Sequence, residues 1–528
     1  MFYLLRTWII VINVIYLTMD WIFSLTRYRK PPSIPPLKDS LLTISAAELA
    51  QKIRDQHCTS YQVVRAYIER IKEVNPYLNA VVEDRYEIAL AEAKNCDRLL
   101  EDGNMDIVKL KEQKPLFGIP FTVKESLPVK GLSHTGCTLA YKGRKATTDS
   151  FAVKMLRDAG AILLCVTNTP EMCSGLDSYN FLYGRSYNPY DTRYTPGGSA
   201  GGEAALLGAG SSLIGIAADF GGSLRVPGLF CGIFGFKPSP KVIPSRDHFP
   251  SNNNENFENY VAVGPMTRYA DDLSLFMKVI SMKSNCDLCL DEPVDWKQMK
   301  VYYRDSLSKS FGILSLSPEF KQCILKATIH FVERGVHTEK IPIEWPARLL
   351  EMITVHLLDT GEFDLIIDAK NPKLRKNPIV EMIKAIFGQS HHTMSLLHVQ
   401  FVNHVCHRIY SGKEILRYYS QGFKEFQQKL QKLLGKNGVL IYPTFRSTAP
   451  FPELALGELP NIILYSSLVN VLGFPAVQVP MGLNSKGMPM GLQVIAAPYQ
   501  DRLCLAVAKE LEMAFGGWVP PSISTINN

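Results

Sequence analysis

Between Gly197 and Lys237 the chain reads GGSAGGEAALLGAGSSLIGIAADFGGSLRVPGLFCGIFGFK, which sets Ser199 and Ser223 in separate glycine-rich turns. Glycine admits positive φ and leaves backbone N–H groups uncovered. Successive uncovered N–H groups make a concavity that binds anions. Ordinary packing has no need of a serine between glycines twice over. A serine hydroxyl beside such a concavity supplies a nucleophile and donors for the oxyanion that its attack creates, the requirements of acyl transfer. Upstream, Lys124 closes an apolar run in PLFGIPFTVKES.

The surrounding pattern predicts short strands alternating with helices. Residues 117–123, 161–167, 438–442 and 476–480 read as strands, the last pairing with 491–496 through a turn at 484–487. Residues 151–158 and 202–207 read as helices. Before them, Ser45 and Glu48 are spaced as a capping box, and so are Thr59 and Gln62. The second opens a helix with Val64, Tyr67, Ile68 and Ile71 on one face, expected to stop before Asn75-Pro76. A third helix is expected over residues 85–100. The alternation predicts an α/β fold, a buried mixed β-sheet core surrounded by helices. Residues 286–436 read as mostly helical. Within them, residues 379–387 line up Met382, Ile383, Ile386 and Phe387, either an ordinary helix burying one face or one that dips into a membrane. His391-His392 point different ways on a helix and are expected at the surface.

The amino terminus is set apart. Residues 8–25 read WIIVINVIYLTMDWIFSL, interrupted only by Asn13 and Asp20. Eighteen helical residues rise about 27 Å, close to the hydrocarbon thickness of a bilayer. Arg27, Arg29 and Lys30 follow, then PPSIPP. The expected organisation is a membrane anchor with a basic flank over 1–30, a proline-rich linker over 31–44 and one catalytic domain over 45–528. A single-pass anchor is expected, with a cleaved signal peptide as the rival. The heavier basic charge after the segment favours a cytoplasmic body. Net charge is only +7 and the basic residues are scattered, so no nucleic-acid partner is expected. Eleven cysteines without a regular framework are expected as reduced thiols, and Cys286-Asp-Leu-Cys289 lacks a matching second pair. No metal and no cofactor are expected.

Two kinds of hydrolytic site compete. Residues 197–201 match G-x-S-x-G, but the elbow needs a strand leading into the serine, and residues 188–196 read as loop. A Ser–His–Asp triad would need a histidine in a distinctive setting, and none has one. Lys124 is the other candidate base. A lysine ending an apolar strand is buried, and burial disfavours its ammonium form. From spacing alone, a lysine paired with a carboxylate stands equally open.

Taken together, FTVKES around Lys124, GGSAGGE, DFGGSLR, GIFGFKPS and the late PMGLQVIA resemble the amidase signature family, over about residues 45–511. With the membrane segment, YGRSYNPYD and GFKPSPKVIPS are most similar to its animal fatty-acid amide hydrolases. The resemblance implies a Ser–cisSer–Lys triad: Ser223 as nucleophile, Ser199 as the bridging serine after a cis peptide, Lys124 as base. It implies oxyanion donors from the backbone of Phe220, Gly221, Gly222 and Ser223. It places Cys173, in EMCSGLDSYN, where relatives have a residue whose backbone lies near the bridging serine. Ala200 and Phe220 depart from serine and isoleucine, common at those positions. The implied activity is membrane-associated hydrolysis of fatty-acid amides, primary amides and N-acylethanolamines among them. An amidase of another small or N-acyl amide class, an amidotransferase-like subunit and a non-catalytic lipid-binding protein are the alternatives. A lipid amide substrate, a homodimer, and an internal membrane or lipid droplet as location belong to the same implication.

Overall fold

The computed structural model describes residues 2–521, apart from 28, 30, 104, 253, 255, 285, 308–312, 362–364 and 411 and the side chains of 2–5 and 8. Lys30 of the expected basic flank therefore lies outside the described residues. The chain opens with helix α1 (Phe2–Thr26), followed by α2 (Ala46–Arg54), α3 (Ser60–Leu78) and α4 (Tyr86–Glu101). The strands are β1 (Val81–Asp84), β2 (Pro120–Lys124), β3 (Ile162–Thr167), β4 (Tyr179–Asn180), β5 (Gly184–Arg185), β6 (Ile214–Asp219) and β7 (Phe234–Lys237). They continue with β8 (Ala262–Thr267), β9 (Lys300–Tyr303), β10 (His337–Lys340), β11 (Gly438–Tyr442), β12 (Ala476–Leu483) and β13 (Pro489–Ala496).

Among the described residues eleven strands join in one sheet, ordered β1-β3-β2-β6-β8-β7-β12-β13-β11-β9-β10, and β4 pairs β5 alone. The sheet is mixed: β3, β2 and β6 run parallel, as do β11, β9 and β10, while β6 through β11 alternate antiparallel. Every residue of β2, β3 and β6 is buried. Continuous apolar strands of this kind require cover on both faces, and helices supply it. α3 and α4 pack on each other and α4 on β3. A second cluster sets Trp345, Phe423 and Tyr465 against Leu440 and Tyr442 of β11.

Several local expectations change. α3 runs through Pro76 to Leu78. Pro76 falls in its last turn, and Asn79 then ends the helix, turning left-handed and returning its N–H to the Asn75 carbonyl. Ser45 accepts from the Glu48 N–H at 3.2 Å, but the first N–H groups of α2 go to Asp272 at 2.9 and 3.1 Å. β9 and β10 lie inside the stretch read as helical. The helix Pro378–Ile386 buries Glu381 and leaves Ile379, Val380, Ile383 and Ile386 exposed, so the reading of an ordinary helix with a buried apolar face does not hold. Lys384 and Ser390 hold Glu381 at 2.8 and 2.9 Å, which turns the polar side inward. His391 is exposed, but His392 is buried, with Nδ1 2.9 Å from Glu171 Oε1.

Candidate active site

β2 ends at Lys124, whose side chain is fully buried. Nζ lies 2.6 Å from Ser199 Oγ, and Ser199 Oγ lies 2.9 Å from Ser223 Oγ. The neighbouring carboxylates are occupied elsewhere. Glu125 accepts from the Thr135 N–H, from Thr135 Oγ1 at 2.8 Å, from the Gly136 N–H at 3.1 Å and from Ser133 Oγ at 3.1 Å. Glu203, on the helix Gly201–Gly208, accepts from Thr122 and, at 2.7 Å, from Thr167. Burial pushes both carboxyls up to about 7, against the pull of these hydrogen bonds. Lys124 is thus held by a hydroxyl, and no carboxylate pairs with it among the described residues.

The serines depend on close backbone packing. Residues 188–200 form a loop, with no strand leading into Ser199, so the elbow reading fails here. The Gly198–Ser199 peptide is cis. A Cβ on Gly198 would come 2.1 Å from the Gly175 carbonyl oxygen, so only glycine fits. Ser178 Oγ donates to the Gly197 carbonyl at 2.7 Å. Ser223 follows β6, and Asp219 at the end of that strand folds the turn around its carboxylate. It accepts from the N–H groups of Gly222 at 2.6 Å and Leu224 at 3.1 Å, from Arg225 Nε at 3.1 Å and from Asn470 Nδ2 at 2.9 Å. Arg225 also reaches Gln493 at 2.8 Å and the Ser466 carbonyl at 3.0 Å. Burial alone would raise the Asp219 carboxyl, but the guanidinium beside it and these donors bring it down to about 2.

Ser223 itself is only half-buried and sits where this turn opens. The N–H groups of Gly221 and Ser223 meet no acceptor among the described residues, whereas the Gly222 N–H is engaged by Asp219. The Phe220 ring stacks on Phe257 at 5.9 Å. Cys173 is half-buried, its Sγ 3.5 Å from Thr169 Oγ1 and 3.9 Å from His248 Nε2. Burial pushes its thiol up, and the Lys124 charge and His248 outweigh that, bringing it to about 5. The backbone just beyond Cys173, at Gly175, is the part that presses on Gly198. A groove of about 950 Å³ lined by Ile71, Asn75, Glu83, Tyr86 and Tyr187 contains none of these residues.

The sequence motifs contained Glu203, Asp219 and Arg225 without marking their roles. Thr122 and Gln493, inside FTVKES and PMGLQVIA, were likewise unmarked, and Thr167 and Asn470 lay outside the motifs, because each acts through a partner distant in the chain.

A family model described as Amidase matches residues 62–505. The chain belongs to the amidase family. It is an enzyme that hydrolyses amides. This amidase is 36% identical over 506 residues to fatty-acid amide hydrolase 2-B of Danio rerio, covering 94% of each chain. It is 36% identical over 504 residues to fatty-acid amide hydrolase 2 of Homo sapiens, covering 92% of each. A solved fatty acid amide hydrolase superposes with a TM-score of 0.68 at 20% identity, over 95% of this chain and 89% of its own, and shares the amidase fold.

Proposed function

We propose that this amidase cleaves fatty-acid amides, primary amides and N-acylethanolamines among them, to fatty acid and amine through an acyl-enzyme on Ser223. The observation that carries the reading is the unbroken contact from Lys124 through Ser199 to Ser223, at 2.6 and 2.9 Å. The names of the relatives that match over nearly the whole chain support the substrate class. Attachment to a membrane through α1 belongs to the same reading.

With Lys124 as ammonium, both hydrogen bonds run outward toward Ser223. Loss of one proton from Nζ lets both reverse. Ser199 then donates to Nζ and Ser223 donates to Ser199, which leaves the Ser223 oxygen ready to attack. As the C–O bond forms, the Ser223 proton passes to Ser199 and the Ser199 proton to Lys124. The carbonyl oxygen gains negative charge opposite the N–H groups of Gly221 and Ser223, which have no other acceptor among the described residues. The relay then runs backward and protonates the departing nitrogen as the C–N bond breaks. Protonation matters because an amide anion is a poor leaving group. Water attacks the ester by the same relay, releasing the acid and restoring Ser223.

The test is release of fatty acid from oleamide, N-acylethanolamines, N-acyl amino acids and simple esters by the detergent-solubilised enzyme and its Ser223→Ala variant. Release of oleate from oleamide that disappears in the variant supports the proposal. Equal release by both proteins would exclude Ser223 as the nucleophile. Cleavage confined to the N-acyl amino acids would move the substrate to another amide class.

A further inference from the structure

The apolar amino-terminal segment contains a polar seam. Arg6, Ile9, Asn13, Tyr16, Phe23 and Arg27 recur at spacings of three, four and seven, and Asp20 falls in step with them. Such spacing marks one face of a helix. In the structure that face lies against the body from end to end. Arg6 pairs with Glu351 through two bonds of 2.8 and 2.9 Å, and neither side chain is more than 1% exposed. Ile9 joins the cluster around Trp345 and Phe423. The Tyr16 ring packs over Gly457, with the Arg446 guanidinium 5.1 Å from its centre. Phe23 meets Phe451 edge-on at 5.7 Å, and Arg27 pairs with Glu453 at 2.9 Å. These contacts cover a helical rise of about 32 Å.

The opposite face is mainly apolar, and Thr18 in its middle turns its hydroxyl back to the Val14 carbonyl at 2.8 Å. Val11, Val14, Ile15, Leu17, Trp21 and Leu25 are each between 45% and 64% exposed. We infer that α1 lies along the body and flat on a lipid bilayer, its polar seam turned to the protein and its apolar face to the lipid, without crossing the membrane. A crossing helix would carry Arg6 to the side opposite the body and leave the Glu351 carboxylate without its partner. The seam also collects Arg6, Asn13 and Asp20, the residues that a lipid-surrounded span excludes. Lipid fits the outer face better than a second copy does. A stripe about 27 Å long and about 10 Å wide projects to roughly 300 Å², and even roughly twice that in accessible area stays short of the roughly 800 Å² per partner of a stable dimer. Trp21 on that face suits the boundary between headgroups and acyl chains. The inference rests on the proposed membrane attachment and is independent of the hydrolase reading.

The geometry supplies its own test. A Cβ on Gly457 would lie 3.5 Å from the Tyr16 Cβ, within the roughly 3.5–4.5 Å that a disulfide spans. The full-length Tyr16→Cys/Gly457→Cys protein, bound to phosphatidylcholine–phosphatidylserine vesicles, is oxidised mildly and digested, and the linked peptide is sought by mass spectrometry. Each single variant serves as control for the native thiols. In parallel, the unsubstituted protein carries an amino-terminal epitope tag and is exposed to external protease. A flat helix gives the linked peptide and a tag cut on the same side as the body. The outward variant Ile15→Glu/Trp21→Glu should then weaken vesicle binding about tenfold or more while the linked pair still forms. A protected tag without the link means a crossing helix and overturns the inference while membrane attachment stands. Unsubstituted protein that stays out of the vesicle pellet, as a monomer or as a dimer by size, overturns both.

Discussion

At the scale of single residues, the site holds carboxyls whose proton affinities burial and charged neighbours move in opposite directions. In the proposed mechanism Lys124 and Ser199 relay a proton but form no bond to substrate. Lys124→Ala should therefore lower the rate of amide hydrolysis by about 10²–10⁴-fold near neutrality, as loss of a general base does. The remaining activity should climb steeply with alkaline pH. A full pH–rate profile checks both, and a profile like that of the unaltered enzyme would contradict them. Glu203 and Asp219 are shifted in opposite directions, so their effects on stability oppose each other. Glu203 is raised to about 7, so over the window from its ordinary value near 4.3 to about 7 the folded protein holds the proton more tightly than the unfolded chain. Stability falls as pH rises through that window and levels above it. Glu203→Gln removes this loss. Its urea midpoint, relative to the unaltered enzyme, should rise between about pH 5 and pH 8, by about 2–3 kcal/mol in unfolding free energy. Asp219 is lowered to about 2, so its contribution is complete above about 3.9 and is lost as pH falls through the folded value. Asp219→Asn should lack that acid-side loss and should be less stable than the unaltered enzyme at neutral pH. Arg225, fully buried, would have lost its charged partner.

At the scale of elements, the Ser223 turn is positioned by what its glycines allow. Gly222 has φ +117 and a Cβ there would meet Ser466 Cβ at 2.5 Å. A Cβ on Gly221 meets only the Ser467 side chain, Oγ at 2.9 Å and Cβ at 3.9 Å, and that hydroxyl can turn away at the loss of its 3.2 Å bond to the Gly221 carbonyl. Gly222→Ala should slow labelling by a fluorophosphonate far more than Gly221→Ala does, and equal rates would contradict this packing. The two glycines look alike in the sequence DFGGSLR. The same limit explains what could and could not be read beforehand. Residues 151–158 and 438–442 form the expected helix and strand because their patterns are complete within the segment. Lys124, Ser199 and Ser223 were legible through their motifs, and the structure brings all three together. β9 and β10 were not legible, since four-residue strands gain their identity only by pairing beside β11. His392 reads as a surface residue until Glu171, from a distant part of the chain, buries its ring. Asn470, on the helix Leu468–Leu472, and Gln493, on β13, reach the Asp219–Arg225 pair from distant parts of the chain, so no local pattern announces that partner.

At the scale of the whole molecule, α1 and the body are energetically joined. Removing residues 1–30 takes Arg6 from Glu351 and uncovers Phe451 and Leu454, which pack on Tyr16. Loss of one member of a buried pair costs about 3–5 kcal/mol, so the truncated chain should unfold at a clearly lower temperature. Glu351→Gln in the truncated chain should recover part of the loss, because the uncompensated charge is gone. An unchanged thermal midpoint on truncation would contradict the packing of α1. The central claim concerns the covalent intermediate, and the most direct measurement is mass spectrometry of enzyme acid-quenched during turnover of oleamide. The expected result is an oleoyl group on the peptide containing Ser223, absent from Ser223→Ala and faint in Lys124→Ala. An oleoyl group on another residue such as Cys173, with turnover retained in Ser223→Ala, would contradict the proposed chemistry.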